Sequence, residues 1–392
     1  MNPELGRRVP ALRPAAQAEP LGLYLHIPFC LDRCTYCSFA TTRDRSHQAD
    51  TIQHLISEIN TWGAALGRPA VDTLYLGGGT PSLLTTEELA ALTAAVRAAF
   101  DLAPLVEATL EANPGTVDLA WLQQARELGW DRISLGVQAL DDELLSRLGR
   151  IHGSEQALES IALTERAGFQ RRSADLMVGI PGQSLSKVVG DARTLAATGL
   201  EHLSIYLLDL DKACPLRAEI DSGRLTLPTE DEVADVFEAL QVELPRLGLA
   251  PYEISNYARP GAESIHNTRY WERRPYLGLG PSAASQLGDL RWTESANIGA
   301  WTQGRGDLDL QELDAAEILA ELPLLGLRLH RGLDWSALRH RAEDLNLRPL
   351  CEGWETRLRG LAKEGLVLWE GDQVRLSARG MLMSNGILQM FV

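Results

Sequence analysis

Three closely spaced cysteines are the residues of this sequence best suited to chemistry. Cys30, Cys34 and Cys37 stand in the segment HIPFCLDRCTYCSF, at positions i, i+4 and i+7. A cuboidal iron–sulfur cluster needs thiolates that converge on separate irons, and short fixed spacings supply them from one loop. Three protein ligands leave the fourth iron open, and the amino and carboxylate groups of S-adenosylmethionine (SAM) can chelate it. The spacing therefore predicts a [4Fe–4S] cluster that is used together with SAM.

The same cysteines have two simpler interpretations. They could form a zinc site completed by His26 or His47, or they could be three unrelated buried thiols. The chain has five cysteines, an odd number, with three of them in eight residues. Because a secreted disulfide framework would be even and spread out, reduced thiols and metal or redox chemistry fit better. Cys214 and Cys351 are isolated, and no role is assigned to them.

Further polar and glycine positions stand where strands are expected to end. The segment LGGGTPS, residues 76–82, directly follows a predicted strand, and its glycines would let the backbone approach a ligand closely. Glu111, Gln138, Arg150 and Asp175 stand at or just after three other predicted strand ends. A lone carboxylate in such a place can equally be a helix cap or a surface group.

The elements that must position these residues alternate along the first two thirds of the chain. Strands are predicted at residues 21–28, 71–76, 106–112, 132–138, 173–180 and 202–208, and helices at 48–66, 86–100, 117–128, 154–167 and 184–198. Repeated strand–helix units indicate a parallel sheet. Six units are two short of a closed eight-stranded barrel, so the sequence predicts an open partial (β/α)6 barrel. The cysteine loop would lie at its carboxyl face, where barrel active sites are built.

The pattern changes in the last third of the chain. A helix is expected at residues 233–247, a strand at 251–258, and later three helices followed by strands at 366–369 and 373–376. We therefore expect a flexible N-terminal tail over residues 1–20, the partial barrel over 21–250, an accessory segment over 251–311 and a winged-helix-like α+β domain over 312–392.

The charge of the chain argues against a nucleic-acid partner, and its hydropathy argues against a membrane-spanning helix. The formal net charge of −16 makes the 392-residue chain a poor partner for nucleic acid, whose phosphates are neutralised by Lys and Arg. No segment approaches the roughly 20 apolar residues of a membrane helix. Residues 1–20 have no apolar region typical of a signal peptide, so a cytoplasmic protein is expected.

In these residues and motifs the sequence resembles the radical SAM superfamily. YLHIPFC at residues 24–30 is similar to the branch that contains oxygen-independent coproporphyrinogen III oxidase and the HemW-type heme chaperones. The segments GGGTPS, EANPGT, ISLGVQ, RLGRIHG and DLMVGIPGQ resemble HemW-type segments in the same order. The resemblance implies a partial barrel and a cluster on the three cysteines. It implies SAM contacts from Tyr24, Gly78, Gly79, Thr80, Glu111, Gln138, Arg150 and Asp175.

Two features relate to heme. HNTRYW at residues 266–271 matches the HNxxYW motif associated with heme binding in the HemW family, which implies heme contacts from His266, Tyr270 and Trp271. The alternative is a core histidine with two packing aromatic residues. Phe39 stands where the oxidase pattern has a further cysteine, and Ala284 stands where the family usually has a histidine.

The resemblance therefore implies a HemW-type chaperone that binds heme and delivers it to hemoproteins, some of them membrane-bound. The alternatives are an oxidase that decarboxylates propionate side chains of coproporphyrinogen III by radical chemistry, and a radical methylase of the same branch. An electron donor is implied in each case. The sequence leaves open whether SAM is cleaved productively, whether the chain forms a homodimer and whether it lies at the inner face of a membrane.

Overall fold

Six parallel strands form the centre of the computed structural model, which describes residues 2–210 and 212–392. They are β1 (Leu21–Ile27), β2 (Val71–Gly78), β3 (Glu107–Ala112), β4 (Arg132–Gln138), β5 (Arg171–Val178) and β6 (His202–Leu207). Each pairs in parallel with the next. All six were predicted to within two residues at their starts and ends, because strands buried on both faces are nearly continuous apolar runs.

Five of the first seven helices were predicted from the periodicity, and those over residues 3–18 and 142–147 were not. The first seven are α1 (Pro3–Ala18), α2 (Gln48–Leu66), α3 (Thr86–Ala99), α4 (Leu119–Glu127), α5 (Asp142–Arg147), α6 (Ser154–Arg166) and α7 (Leu185–Ala197). A short 3-10 helix, Pro81–Leu83, precedes α3. The start of α3 is fixed by a capping box in which Thr85 and Glu88 exchange side-chain and backbone hydrogen bonds.

The N-terminal segment corrects one prediction. Residues 3–18, expected to be part of a flexible tail, form the helix α1. Leu5 and Leu12 are buried in the main core, and the guanidinium of Arg13 donates a 2.7 Å hydrogen bond to the carbonyl of Ala65 at the end of α2. Tertiary packing of one apolar face stabilises this helix, and the mixture of Pro, Arg and Glu on its other positions hid that face in the sequence.

Short strands extend the sheet beyond both edges of the parallel core. They are β7 (Ala250–Pro251), β8 (Asn256–Ala258), β9 (Tyr276–Leu279), β10 (Ala284–Leu287), β11 (Leu290–Glu294) and β12 (Leu308–Glu312). Over the described residues the order is β12-β11-β10-β9-β1-β2-β3-β4-β5-β6-β8-β7. Because β1 and β6 pair with these added strands and not with each other, the predicted open barrel is confirmed. The strand expected at 251–258 is split into β7 and β8, which pair antiparallel.

Four helices connect this part of the chain: α8 (Pro215–Asp221), α9 (Glu230–Arg246), α10 (Ile265–Trp271) and α11 (Ile298–Thr302). The C-terminal region has its own hydrophobic core. It contains α12 (Ala315–Gly326), β13 (Leu333–Asp334), α13 (Trp335–Asp344), α14 (Arg348–Lys363), β14 (Val367–Glu370), β15 (Gln373–Leu376), α15 (Ala378–Leu382) and α16 (Ser384–Leu388). The order of helices and strands is winged-helix-like as expected, with two short helices added at the end. Within the described ranges no helix is both long and apolar enough to cross a membrane.

A buried carboxylate closes the barrel at the amino ends of its strands. Glu107, the first residue of β3, is 0% exposed and accepts hydrogen bonds from the backbone N–H groups of Ile265 (2.8 Å) and His266 (3.1 Å) at the start of α10. Arg171 of β5 lies 2.9 Å from the same carboxylate. Burial alone would raise the pKa of Glu107, but Arg132, Arg171 and the two N–H groups hold it below its ordinary value. The helix α10 is thereby fixed as the floor of the barrel.

A second buried ion pair holds the other end of the floor. Arg269 of α10 is completely buried, pairs with Asp72 and donates to the carbonyls of Pro20 (3.0 Å) and Pro275 (3.1 Å). Its side chain lies against Gly22 of β1, where an added Cβ would come within 2.5 Å of the Arg269 side chain. The close approach explains why β1 has a glycine there.

Replacing Glu107 should test how much the floor contributes to stability. Glu107→Ala leaves the buried Arg132 and the half-buried Arg171 without their carboxylate, so we expect the free energy of unfolding to fall by about 3–5 kcal/mol. Glu312→Ala is the control, because it removes an exposed carboxylate paired with Arg8 and should cost about 0–1 kcal/mol. Urea denaturation followed by circular dichroism measures both. Equal losses of unfolding free energy in the two variants would contradict the role of Glu107 in holding the floor.

Candidate functional site

A cavity of about 560 Å³ opens at the carboxyl ends of the six parallel strands. It joins most of the residues predicted to bind the cluster and SAM. Those in its wall are Cys30, Cys34, Cys37, Gly78, Gly79, Glu111, Gln138, Arg150 and Asp175. Because parallel strands end at one edge of the sheet, residues far apart in the chain meet there.

The cysteine loop is held by backbone hydrogen bonds and by the ring of Tyr36, which packs against a small hydrophobic cluster. Residues 30–47 are all exposed or half-buried. The N–H of Cys30 donates to the carbonyl of Thr42 (3.0 Å), and Thr35 donates through its N–H to the carbonyl of Leu148 (2.9 Å). These hydrogen bonds fix the path of the loop over the cavity while its three thiols stay free and partly accessible.

Two polar groups lie close to the thiols. The hydroxyl of Thr80 is 3.7 Å from Sγ of Cys30, and Nη1 of Arg150 is 3.4 Å from Sγ of Cys34. Burial raises the pKa of the Cys30 thiol, and the Thr80 hydrogen bond acts in the opposite direction by favouring the thiolate. Thr80 itself is buried behind the loop and does not line the cavity.

The donor set fits an iron–sulfur cluster better than zinc. Both ring nitrogens of His26 are engaged, Nδ1 with the hydroxyl of Tyr24 (3.0 Å) and Nε2 with the carbonyl of Ala40 (3.3 Å). His47 is exposed and pairs with Asp50. Across the residues that the structure describes, no three or more His, Cys, Asp or Glu side chains are grouped closely enough to hold a single metal ion. Three thiols that face one cavity match the three protein ligands of a cluster with an open iron.

Two glycines of the LGGGTPS segment are required by packing. Gly78 has a φ of +113°, and a Cβ there would lie 2.7 Å from the His26 ring. A Cβ on Gly79 would lie 2.6 Å from the carbonyl oxygen of Phe29 and 3.0 Å from Sγ of Cys30. The end of β2 therefore packs directly on the cysteine loop, which only glycine permits.

Glu111 is a half-buried carboxylate in the cavity wall. It accepts hydrogen bonds from the hydroxyl of Tyr75 (2.7 Å) and the N–H of Gly78 (3.1 Å). Burial raises its pKa to about 7, the Tyr75 hydrogen bond opposes this, and the carboxylate of Asp175 adds to the rise. An ammonium group bound there would favour the ionised form. The arrangement suits recognition of an amino group.

Gln138 combines backbone strain with an unpaired polar atom. Its φ is +68°, where a side chain other than glycine costs about 1–3 kcal/mol, and the pairing of β4 with β5 is irregular just before it. Its Oε1 atom is buried without a hydrogen-bond partner. Such features gather at ligand sites, where a bound donor satisfies the amide.

Asn113 is a site residue that the sequence reasoning missed. Nη2 of Arg150 donates to Oδ1 of Asn113 (2.5 Å) and to the carbonyl of Gly136 (2.6 Å), and Nδ2 of Asn113 donates to the hydroxyl of Thr80 (2.9 Å). Its position directly after β3, in EANPG, was the available signal. Other missed residues in the cavity wall are Tyr36, Ser134, Met177, Tyr206, Leu207 and Lys212.

The predicted heme contacts lie elsewhere. His266 is 1% exposed at the floor, with Nδ1 bonded to the hydroxyl of Thr73 (3.0 Å) and Nε2 to the hydroxyl of Tyr270 (2.8 Å). Neither nitrogen has a lone pair facing open space, so His266 as placed here cannot ligate a heme iron. The Trp271 ring is covered by the guanidinium of Arg328 at 4.3 Å. Like Tyr24, none of the three residues lines the cavity.

The position that carries alanine instead of the expected histidine is also outside the cavity. Ala284 is exposed at the start of β10, opposite Thr293 of β11. Its carbonyl oxygen would lie 2.1 Å from a Cβ added to Gly278. Nothing in its surroundings explains the replacement.

Known proteins with similar sequences include one superfamily and a set of curated relatives that match nearly the whole chain. Residues 24–195 match the family model described as "Radical SAM superfamily". The chain is 32% identical to "Heme chaperone HemW" of Mycobacterium tuberculosis over 97% of both chains, and 34% identical to "Heme chaperone HemW" of Escherichia coli over 95% of this chain and 98% of that protein.

Among solved structures, coproporphyrinogen III oxidase (HemN) of Escherichia coli matches with a TM-score of 0.83 at 24% identity, over 97% of this chain and 93% of that one. This likeness shows the fold alone, whereas the sequence relatives show the family. Membership implies a [4Fe–4S] cluster and SAM, which the three thiols and the polar cavity wall fit. The chain belongs to the HemW family of the radical SAM superfamily.

Proposed function

We propose that the protein is a heme chaperone that binds heme and passes it to recipient hemoproteins, with an electron donor serving its cluster. The observation that carries the proposal is the end-to-end similarity to the curated HemW chaperones. Phe39 supports it, since this residue stands at the cavity wall where an oxidase-type sequence has a further cysteine. The oxidase is the competing function, and the experiment below separates the two.

Within this proposal, Cys30, Cys34 and Cys37 hold the cluster, and the cavity beside them holds SAM. Held there, the cluster would provide electron transfer, and SAM would be its co-reactant. The carboxylate of Glu111 pairs with the amino group of SAM. The guanidinium of Arg150 suits its carboxylate.

Of the remaining side chains of the SAM site, two contact SAM and two hold neighbouring residues in place. Asp175 takes the ribose hydroxyls, and Gln138 offers its unpaired amide oxygen. Tyr24 and Thr80 support the site from behind, through the His26 ring and the Cys30 thiol respectively.

The rim of the cavity offers an apolar surface for a porphyrin. Phe39 and Leu207 are 65% and 54% exposed although they are large and apolar, and both line the cavity. Flat aromatic and aliphatic faces pack well on a porphyrin ring. The exposed cations Arg33 and Lys212, in the same wall, suit its two propionates. We therefore propose that heme docks at this rim, on the side of the barrel opposite His266.

The cluster assignment is tested by removing one thiol. After anaerobic reconstitution the wild type should hold about four irons and four sulfides per chain. Cys34→Ala should lose them, because the cluster requires all three cysteine ligands. The far-ultraviolet circular dichroism should not change, since Cys34 is half-buried and lies in a loop outside the helices and strands. Cys214→Ala is the control and should keep its iron. Tight zinc binding without iron uptake in the wild type would contradict the cluster.

The heme site is tested at the rim. Phe39→Asp places a carboxylate on the proposed porphyrin face, so we expect heme affinity to fall about ten-fold in an absorbance titration. Val242→Asp on α9 is the control, because Val242 is similarly exposed but lies outside the cavity. The wild type with SAM and a reductant should leave coproporphyrinogen III unchanged. Decarboxylation of that compound would replace the chaperone by the oxidase.

A further inference from the structure

The floor and the cavity are connected through the interior of the barrel. The ring of Tyr75, on β2, lies 5.1 Å from the ring of His266 below it. The hydroxyl of Tyr75 reaches up and donates a 2.7 Å hydrogen bond to Glu111 in the cavity wall. Side chains of the HNTRYW segment and of the SAM site are thus separated by a single tyrosine.

We propose that His266 and Tyr75 are positioning residues for SAM binding: His266 holds the Tyr75 ring, and the Tyr75 hydroxyl orients Glu111 and keeps it ionised to receive the SAM amino group. The proposal rests on Glu111 being a SAM contact, which is part of the proposed function. It gives the HNTRYW segment a role at the cofactor and not at heme.

Hydrogen bonds hold the His266 ring in a single orientation. Its two nitrogens bond to the hydroxyls of Thr73 and Tyr270, and its backbone N–H bonds to Glu107. The Tyr270 ring is in turn held edge-on by Tyr276, at 4.7 Å between ring centres. Burial lowers the pKa of His266 to about 3, so the imidazole stays neutral and supplies a rigid surface but no charge.

The Tyr75 hydroxyl contacts a carboxylate whose protonation changes near neutral pH. Burial raises the pKa of Glu111 to about 7, and the hydrogen bond from Tyr75 works against that rise. The other groups that face Glu111 come from the surrounding strands and the floor: Tyr24, the N–H of Gly78, Arg132, Asp175, Tyr206 and Tyr270. Among them Asp175 raises the pKa of Glu111, while Gly78 and Arg132 lower it.

The direction of the pH effect follows. Glu111 must be ionised to pair with an ammonium group, so SAM affinity should be full above about pH 7 and should fall as the pH drops below it. Losing the Tyr75 hydrogen bond favours the protonated form, so the fall should begin at a higher pH. A residue that only filled space would lower the affinity by the same factor at every pH.

The decisive experiment measures equilibrium SAM binding to reconstituted full-length protein between about pH 6 and about pH 9. Tyr75→Phe keeps the ring and removes the hydroxyl. We expect about ten-fold weaker SAM binding at pH 7, with the loss shrinking toward high pH. The cluster absorbance should be unchanged. Tyr252→Phe is the matched control, because it removes another internal hydroxyl, which bonds to His202 and to the N–H of Ser264 and does not touch Glu111.

His266→Ala extends the test to the floor. It should weaken SAM binding in the same direction, and it should leave heme affinity and the heme spectrum as in the wild type. A pH-independent loss in Tyr75→Phe would overturn the proposal. So would wild-type SAM affinity in His266→Ala together with a changed heme spectrum, which would restore His266 as a heme ligand. If wild-type protein with an intact cluster binds no SAM at any pH, the proposed SAM site itself fails.

Discussion

The Glu107 carboxylate is the interaction on which the rest of the architecture depends. It lies at the first residue of a central strand, without solvent, and gathers two backbone N–H groups of α10 and the guanidinium of Arg171. An unpaired charge in that position would be too costly, so the carboxylate requires the helix as much as the helix requires the carboxylate. Because this end is closed, ligands reach the barrel interior from the carboxyl ends of the strands, where the sheet collects its polar side chains.

The cavity illustrates how a parallel sheet assembles a site from distant sequence. The strands β3 to β6 contribute polar side chains such as Glu111, Gln138 and Asp175, and the connecting loops contribute the thiols and Arg150. The wall contains strain and unsatisfied polarity, as at Gln138, together with tight glycine contacts between β2 and the cysteine loop. A well-packed interior does not accept such features without compensation, which in the proposed function comes from the bound cofactor.

The sequence was informative where local pattern and structure agree. The six central strands and the helices between them follow from apolar runs and periodicity, and the cysteine spacing identifies the loop. The strands β9 to β12 were not predicted, because they come from a stretch rich in glycine and aromatic residues whose pairing is decided by distant partners. The placement of His266 could not be predicted from the sequence either. Its partner Thr73 is 193 residues away, and a motif does not show on which side of a sheet its residues will lie.

Because residues 30–47 are all exposed or half-buried, loss of the cluster need not unfold the protein. The two large cores are built by strands and helices, so the polypeptide can fold first and receive iron and sulfide afterwards as a maturation step. Oxygen that destroys the cluster would, for the same reason, leave a folded apoprotein with an accessible loop. Damage of this kind is open to repair in place, without degradation and resynthesis of the chain.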